Sequence, residues 1–129
     1  MKIEHLGYQV PDPVKTAAWY CDHIGFTIVR SVDNEAKTRF LADCSGTVMI
    51  EIYNNPKAMV PDYRTMDPLV LHLAFTCSNV PGTVKKLTAA GATLLEEFTT
   101  PQGDSLAMLR DPWGLAIQLC NRKTPLIKG

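Results

Sequence analysis

The chain has 129 residues, 46% of them hydrophobic, with 13 Lys and Arg against 13 Asp and Glu. That length suits one domain with a single core. The balanced charge, with no basic run or aromatic-interleaved basic stripe, excludes an electrostatic nucleic-acid binder. No apolar stretch approaches the roughly 18 residues of a membrane-spanning helix. The opening Met-Lys-Ile-Glu-His-Leu lacks the apolar core of a signal peptide, so a cytoplasmic protein is expected.

The predicted elements come in two similar sets. Ile3–Val10 reads as a strand. Asp12 then caps a helix with Pro13 at its first position, where a missing N–H costs nothing. Val14, Ala17, Ala18, Cys21 and Ile24 recur at helical spacing, and Gly25 suits the left-handed position past the helix end. Three strands follow, at Phe26–Val32, Lys37–Ala42 and Thr47–Tyr53. Asn54 to Pro68 contains three prolines and no clear period. It is read as a linker, equally an exposed connector or a cover for the mouth of a site. The second set starts with a strand at Leu69–Cys77. A helix capped by Ser78 or Asn79 follows, with Val80, Val84 and Leu87 as its buried stripe and Gly91 at its end. Strands at Thr93–Thr99, Ser105–Arg110 and Leu115–Cys120 complete it. Asp111-Pro112-Trp113-Gly114 suits a type I turn, and Asp43-Cys44-Ser45-Gly46 is its degenerate counterpart.

The two sets superimpose at an offset of 67 residues. His5-Leu6 falls on His72-Leu73, and Val48-Met49-Ile50-Glu51 on Leu115-Ala116-Ile117-Gln118, with a His-to-oxygen-donor spacing of 46 in both halves. Between these anchors the offset slips by one residue, Gly25 matching Gly91. The unit is βαβββ, present twice. The fold class is therefore α+β, with modules at about 1–55 and 68–122 of a single 1–129 domain, joined by linker 54–68.

Alternate residues of a strand share a face. One face carries Ile3, Leu6, Val48, Ile50, Ile52, Leu71, Leu73, Leu115, Ile117 and Leu119, and is expected to pack on the helices. The other places His5 beside Gly7 and Gln9, Glu51 beside Tyr53, His72 beside Ala74 and Thr76, and Gln118 beside Cys120. Small neighbours of the histidines leave room for a cavity. If two such sheets face each other, His5, Glu51, His72 and Gln118 converge. Imidazole, carboxylate and amide donors suit Zn, Ni, Co, Mn or Fe(II) over a soft thiophilic ion; the fourth protein ligand puts Fe behind the others, and four ligands leave two octahedral positions open for water or substrate. Each of the four alone has an ordinary structural reading; the joint spacing is what favours the site. His23 lies outside the pattern and reads as a surface or dimer contact.

Tyr53 and Cys120 are repeat equivalents that line the expected pocket. Cys120 reads as packing and not as a nucleophile, because no histidine is placed to activate it. Arg39 is a candidate for an anionic substrate group, against a plain solvent-facing strand charge. The four cysteines, Cys21, Cys44, Cys77 and Cys120, are widely spaced, and reduced thiols at apolar positions are expected.

His5-Leu6-Gly7-Tyr8-Gln9-Val10 with Asp12, Trp19-Tyr20 before Ile24-Gly25-Phe26, and Asp111-Pro112-Trp113-Gly114 leading to Ile117-Gln118-Leu119 resemble the vicinal oxygen chelate superfamily. That superfamily contains glyoxalase I, methylmalonyl-CoA epimerase, extradiol dioxygenases, fosfomycin-resistance transferases and bleomycin-resistance proteins. The resemblance implies paired βαβββ modules in a cup-shaped mixed sheet with helices outside. It implies a divalent metal on His5, Glu51, His72 and Gln118, a small-molecule substrate, and a cup closed within one chain or across a homodimer. Glyoxalase I has glutamate where this chain has Gln118. A glutamine ligates but cannot act as a base. Exchanging the halves gives a set similar to that of methylmalonyl-CoA epimerase, with Glu51 as ligand and proton-transfer group. A metal-dependent lyase or isomerase is thus expected first. An epimerase, a drug-sequestering binding protein and an Fe(II) dioxygenase are the alternatives.

Overall fold

The computed structural model describes residues 1–128, which divide into two compact units, Met1–Pro61 and the residues from Asp62 onward. The first runs β1 (His5–Gln9), α1 (Pro13–His23), β2 (Thr27–Ser31), β3 (Arg39–Ala42) and β4 (Met49–Tyr53). The second opens with a 3-10 turn at Tyr63–Thr65. It continues with β5 (Leu73–Thr76), α2 (Val80–Ala89), β6 (Thr93–Thr99), β7 (Ser105–Arg110) and β8 (Ala116–Asn121). Each unit holds one four-stranded mixed sheet, ordered β1-β4-β3-β2 and β5-β8-β7-β6. The fold is α+β, built from two βαβββ modules, as expected. Among the described residues no helix is long and apolar enough to cross a membrane.

The helix signals act where the sequence puts them. Asp12 accepts a hydrogen bond from the Lys15 amide at 3.0 Å, and Pro13 starts α1. Of Ser78 and Asn79, Asn79 is the cap of α2, taking the Gly82 amide at 3.0 Å. The buried stripe of α2 is Val80, Val84 and Leu87, as read. That of α1 differs. Pro13, Thr16, Ala17, Trp19 and Tyr20 are buried, whereas Ala18 is exposed and Val14 is 48% exposed. Pro13, Thr16, Ala17 and Tyr20 follow the i, i+3, i+4, i+7 spacing of one helix face. The aromatic bulk of Tyr20 fixes that face against the sheet, turning Val14 outward.

α1 packs over β2, β3 and β4, and α2 over β6, β7 and β8. Beneath them lie the aliphatic residues of the inner strands: Leu41, Ile50 and Ile52 in one unit, Leu109, Ile117 and Leu119 in the other, none above 6% exposed. Full burial of each such side chain stabilises by about 1.5–3 kcal/mol. The expected aliphatic face is shorter than the sequence suggested. Leu6, on outer strand β1, stays 44% exposed, and Ile3 precedes the strand at 76%. Leu69 and Val70 are not in β5. Asp67 accepts the Leu69 amide at 2.8 Å and the Val70 amide reaches its carbonyl at 2.9 Å, making a turn with Pro68, which has no N–H to give a ladder.

The turn at Asp111 closes as expected, the Gly114 amide reaching the Asp111 carbonyl at 3.0 Å. The buried Asp111 carboxylate takes the Trp113 and Leu115 amides at 2.9 and 3.0 Å. Gly114 adopts φ +100, and a Cβ there would lie 2.9 Å from the Arg64 backbone nitrogen. Asp43 to Gly46 repeats the closure at 3.0 Å. The linker is bound at both ends. Gln9 donates to the carbonyls of Asn55 and Ala58 and accepts the Asn55 amide. Arg110 donates to the carbonyls of Tyr63, Met66 and Gly114 at 2.8–3.0 Å. All four cysteines are free; Cys120 is buried, Cys21 and Cys77 are half-buried, and Cys44, in the first turn, is exposed and fills no apolar position.

Candidate metal-binding site

The parallel pair β1·β4 aligns His5 with Met49, Gly7 with Glu51 and Gln9 with Tyr53. Its counterpart β5·β8 aligns Ala74 with Gln118 and Thr76 with Cys120, the same register 67 residues on. Glu51 thus rises beside Gly7, between His5 and Tyr53. His5 Nε2 lies 3.1 Å from Glu51 Oε2, with the two side chains about a third and a quarter exposed. Gly7 makes this approach possible. A Cβ there would stand 3.2 Å from both Glu51 Oε2 and the Tyr53 hydroxyl. The space that Gly7 leaves, expected to open into a cavity, is taken by the Glu51 and Tyr53 side chains.

In the second unit His72 immediately precedes β5. Its Nδ1 is 2.8 Å from the Pro68 carbonyl oxygen. A carbonyl only accepts, so Nδ1 carries the proton and Nε2 keeps its lone pair in the neutral ring. This is how metal-ligating histidines are commonly held. Gln118 Oε1 accepts a weak bond from Cys120 Sγ at 3.5 Å, leaving acceptor capacity on its oxygen. The donor set therefore fits a divalent ion half by half: a pre-formed His5–Glu51 pair, and an oriented His72 with an amide oxygen on the neighbouring strand. Among the described residues, no three His, Cys, Asp or Glu side chains form a metal-binding group.

The remaining expectations separate. Tyr53 lies on the Glu51 face. Cys120, with its cross-strand partner Thr76, lines a cavity of about 560 Å³ completed by Cys77, Ser78, Asn121, Arg122 and the tail from Pro125 to Ile127. Burial pushes the Cys120 thiol up, and the nearby Arg122 charge only partly offsets this, which agrees with packing over nucleophilic reactivity. In the first unit, at the equivalent strand ends, Gln9 holds the Asn55–Ala58 segment. Arg39 turns away. It pairs with Ile52 across β3·β4, which puts it on the helix-side face. Its guanidinium donates to the Val32, Lys37 and Thr38 carbonyls at 3.1–3.5 Å. His23 sits on α1 with its ring 5.4 Å from that of Trp19.

Two residues on the Glu51 face escaped the sequence reading. Phe40 pairs with Glu51, and its ring meets His5 edge-on at 5.8 Å. Arg30 pairs with Phe40 and lies over its ring at 5.9 Å. A bulge between Ile28 and Arg30 places Arg30 there. In the second unit the same bulge falls between Leu94 and Glu96, setting Glu96 opposite Met108, the partner of Gln118.

The sequence model of the Glyoxalase/Bleomycin resistance protein/Dioxygenase superfamily matches residues 2–119. The chain belongs to this superfamily. It is 26% identical over 124 residues to YaeR of Escherichia coli (strain K12), covering 92% of this chain and 94% of that protein. The fold is similar to that of a superfamily enzyme from Burkholderia phytofirmans PsJN, with TM-score 0.76, 21% identity and coverage of 94% and 98%. It is also similar to that of TnmS3, an antibiotic binding protein from Streptomyces sp. CB03234, with TM-score 0.72, 20% identity and coverage of 96% and 97%. The superfamily's βαβββ repeat appears in this chain with its parallel pair in the same register twice.

Proposed function

We propose that this superfamily member is a divalent-metal-dependent lyase or isomerase acting on a small oxygenated, metal-chelating substrate. His5, Glu51, His72 and Gln118 are the ligands, drawn from both modules, and the protein works in the cytoplasm as a homodimer. The observation that carries the reading is the 3.1 Å approach of His5 Nε2 to Glu51 Oε2, in a register the second module repeats. A carboxylate and an imidazole on adjacent strands, with only Gly7 beneath them, make a donor pair. The Nδ1 tether on His72 supports the second half.

A bound divalent ion supplies Lewis-acid stabilisation to a substrate oxygen. The chain's own residues do the rest. His5 and His72 present fixed nitrogens. Gln118 offers a neutral oxygen and no basicity. Glu51 is the carboxylate of the set, so it takes a proton from the substrate carbon and returns it to that carbon or to its neighbour. Tyr53, beside Glu51 on the same face, positions the substrate.

The test is metal content. Wild type, His5→Ala and His72→Ala are loaded with Zn, Ni, Co or Mn, desalted and assayed by elemental analysis, with circular dichroism confirming the fold. Each substitution is expected to weaken binding by at least about tenfold. Unchanged metal content in both variants overturns the reading. The alternative of a sequestering protein draws on the similarity to TnmS3 and on the cavity beside Cys120. It predicts binding of a hydrophobic drug that neither histidine substitution alters.

A further inference from the structure

Arg30 gives the proposed site a direction. Across the first sheet, Gly7, Glu51, Phe40 and Arg30 form one cross-strand row. Strands in a sheet lie about 4.8 Å apart, so the backbone of Arg30 stands about 10 Å along the row from that of Glu51. Phe40 fills the interval, its ring meeting that of His5 edge-on at 5.8 Å with the Arg30 guanidinium 5.9 Å from its centroid. Among the described residues Arg30 makes no ion pair, whereas Arg39 pairs with Asp33 and Arg122 with Asp104. The bulge at Val29 is what aims it: with regular pairing Val29 would face Phe40 and Arg30 would point to the helix side.

Resting on the metal-site reading above, we infer that Arg30 binds a carboxylate at the far end of the substrate. The substrate class is then a small oxygenated acid whose chelating group sits at His5 and Glu51 and whose second, anionic end lies beyond Phe40. A guanidinium matches a carboxylate with two parallel hydrogen bonds, and the Phe40 face holds its plane. One cation suits one carboxylate. The pseudosymmetric position in the second module holds Glu96, which repels an anion. A substrate with one carboxylate beyond its chelating group therefore binds in a single orientation although the ligand set is nearly symmetric.

The experiment compares two acids of equal chain length, 2-oxoglutarate and 2-oxopentanoate. They share the chelating 2-oxo carboxylate, and only the first has a distal carboxylate. Binding to zinc-loaded and metal-free wild type, Arg30→Gln and Arg30→Lys is measured by calorimetry. Wild type is expected to prefer 2-oxoglutarate by about tenfold or more, the usual worth of a charge-assisted hydrogen bond. Arg30→Gln removes the preference while leaving 2-oxopentanoate affinity within about twofold, and Arg30→Lys keeps part of it. Equal affinities in wild type, a preference that survives Arg30→Gln, or no binding of 2-oxoglutarate to either form overturns the inference. The metal-free arm separates the two readings. A preference that persists while zinc raises the affinity of neither acid upholds Arg30 and rejects the metal reading. Zinc-dependent binding without a preference does the reverse.

Discussion

Gly7 sets how closely a carboxylate can approach the first histidine. Its missing Cβ leaves a space bounded by Glu51 Oε2 and the Tyr53 hydroxyl, each 3.2 Å from where that atom would be. Alanine there would need shifts of a few tenths of an ångström, which the two flexible side chains can supply. Valine adds branches that they cannot avoid. Gly7→Val is expected to destabilise by about 1–3 kcal/mol, as overpacking does, and to weaken metal binding more than Gly7→Ala. Thermal melts and zinc titrations of the two variants check this, and equal zinc affinity in both would refute it. Residue identity at this scale was legible: His5, Gly7 and Glu51 share a face because strand parity holds through β1 and β4. Arg39 and Arg30 were not. Parity counted from the sequence continues through β2, but the bulge at Val29 reverses it and brings Arg30 to the Glu51 face, while the regular β3·β4 register sets Arg39 opposite Ile52 on the other face.

The elements depend on their turns. Asp111 is 3% exposed, and its carboxylate takes two backbone amides of the turn, those of Trp113 and Leu115. Its counterpart Asp43 bonds the amide and hydroxyl of Ser45, groups that water can reach. Asp111→Ala is therefore expected to cost about 1–3 kcal/mol, and Asp43→Ala well under half of that, because only the first removes an acceptor from a buried turn. Chemical denaturation of both variants measures the difference, and equal losses would refute the account. Turn chemistry also explains which boundaries could be read. The limits of β6 and β7 match the sequence reading, since Gly91 and Gly103 fix the chain before them. β5 begins four residues later than expected, because an apolar run cannot report that Asp67 and Pro68 ahead of it have already closed a turn. In α1 the apolar residues occupy more of the helix surface than the sheet can cover. Only packing against the sheet, with Tyr20 at its centre, chooses which of them are buried.

At the scale of the whole molecule, the two parallel pairs obey the repeat offset of 67, which sets Glu51 beside Gly7 and Gln118 beside Ala74. How the two modules are arranged is outside a pattern of this kind, since each module satisfies it alone. The tail of the second unit adds a pH dependence. Asp104 accepts the Lys123 amide at 3.0 Å and pairs with Arg122 at 2.9 Å, and these bonds hold its carboxyl below the ordinary value. A lowered folded-state value means stability that is complete above the unfolded carboxyl value, near pH 4, and is lost as pH falls through the lower one. The tail is expected to keep its amide protection from pH 7 to about 5 and to lose it below about pH 4. In Asp104→Asn the loss is present at neutral pH. Amide exchange at Lys123 reads both. The proposed homodimer makes the remaining prediction. If one chain's His5 and Glu51 meet the partner's His72 and Gln118, then His5→Ala and His72→Ala proteins each have every site damaged. Unfolding and refolding them together produces mixed dimers in which one site holds two altered halves and the other holds two intact ones. Metal binding is expected to return in the mixture and to be absent from either variant alone. A site closed within one chain gives no recovery, because every chain keeps its own defect, so a mixture that binds no more metal than its components rejects closure between chains.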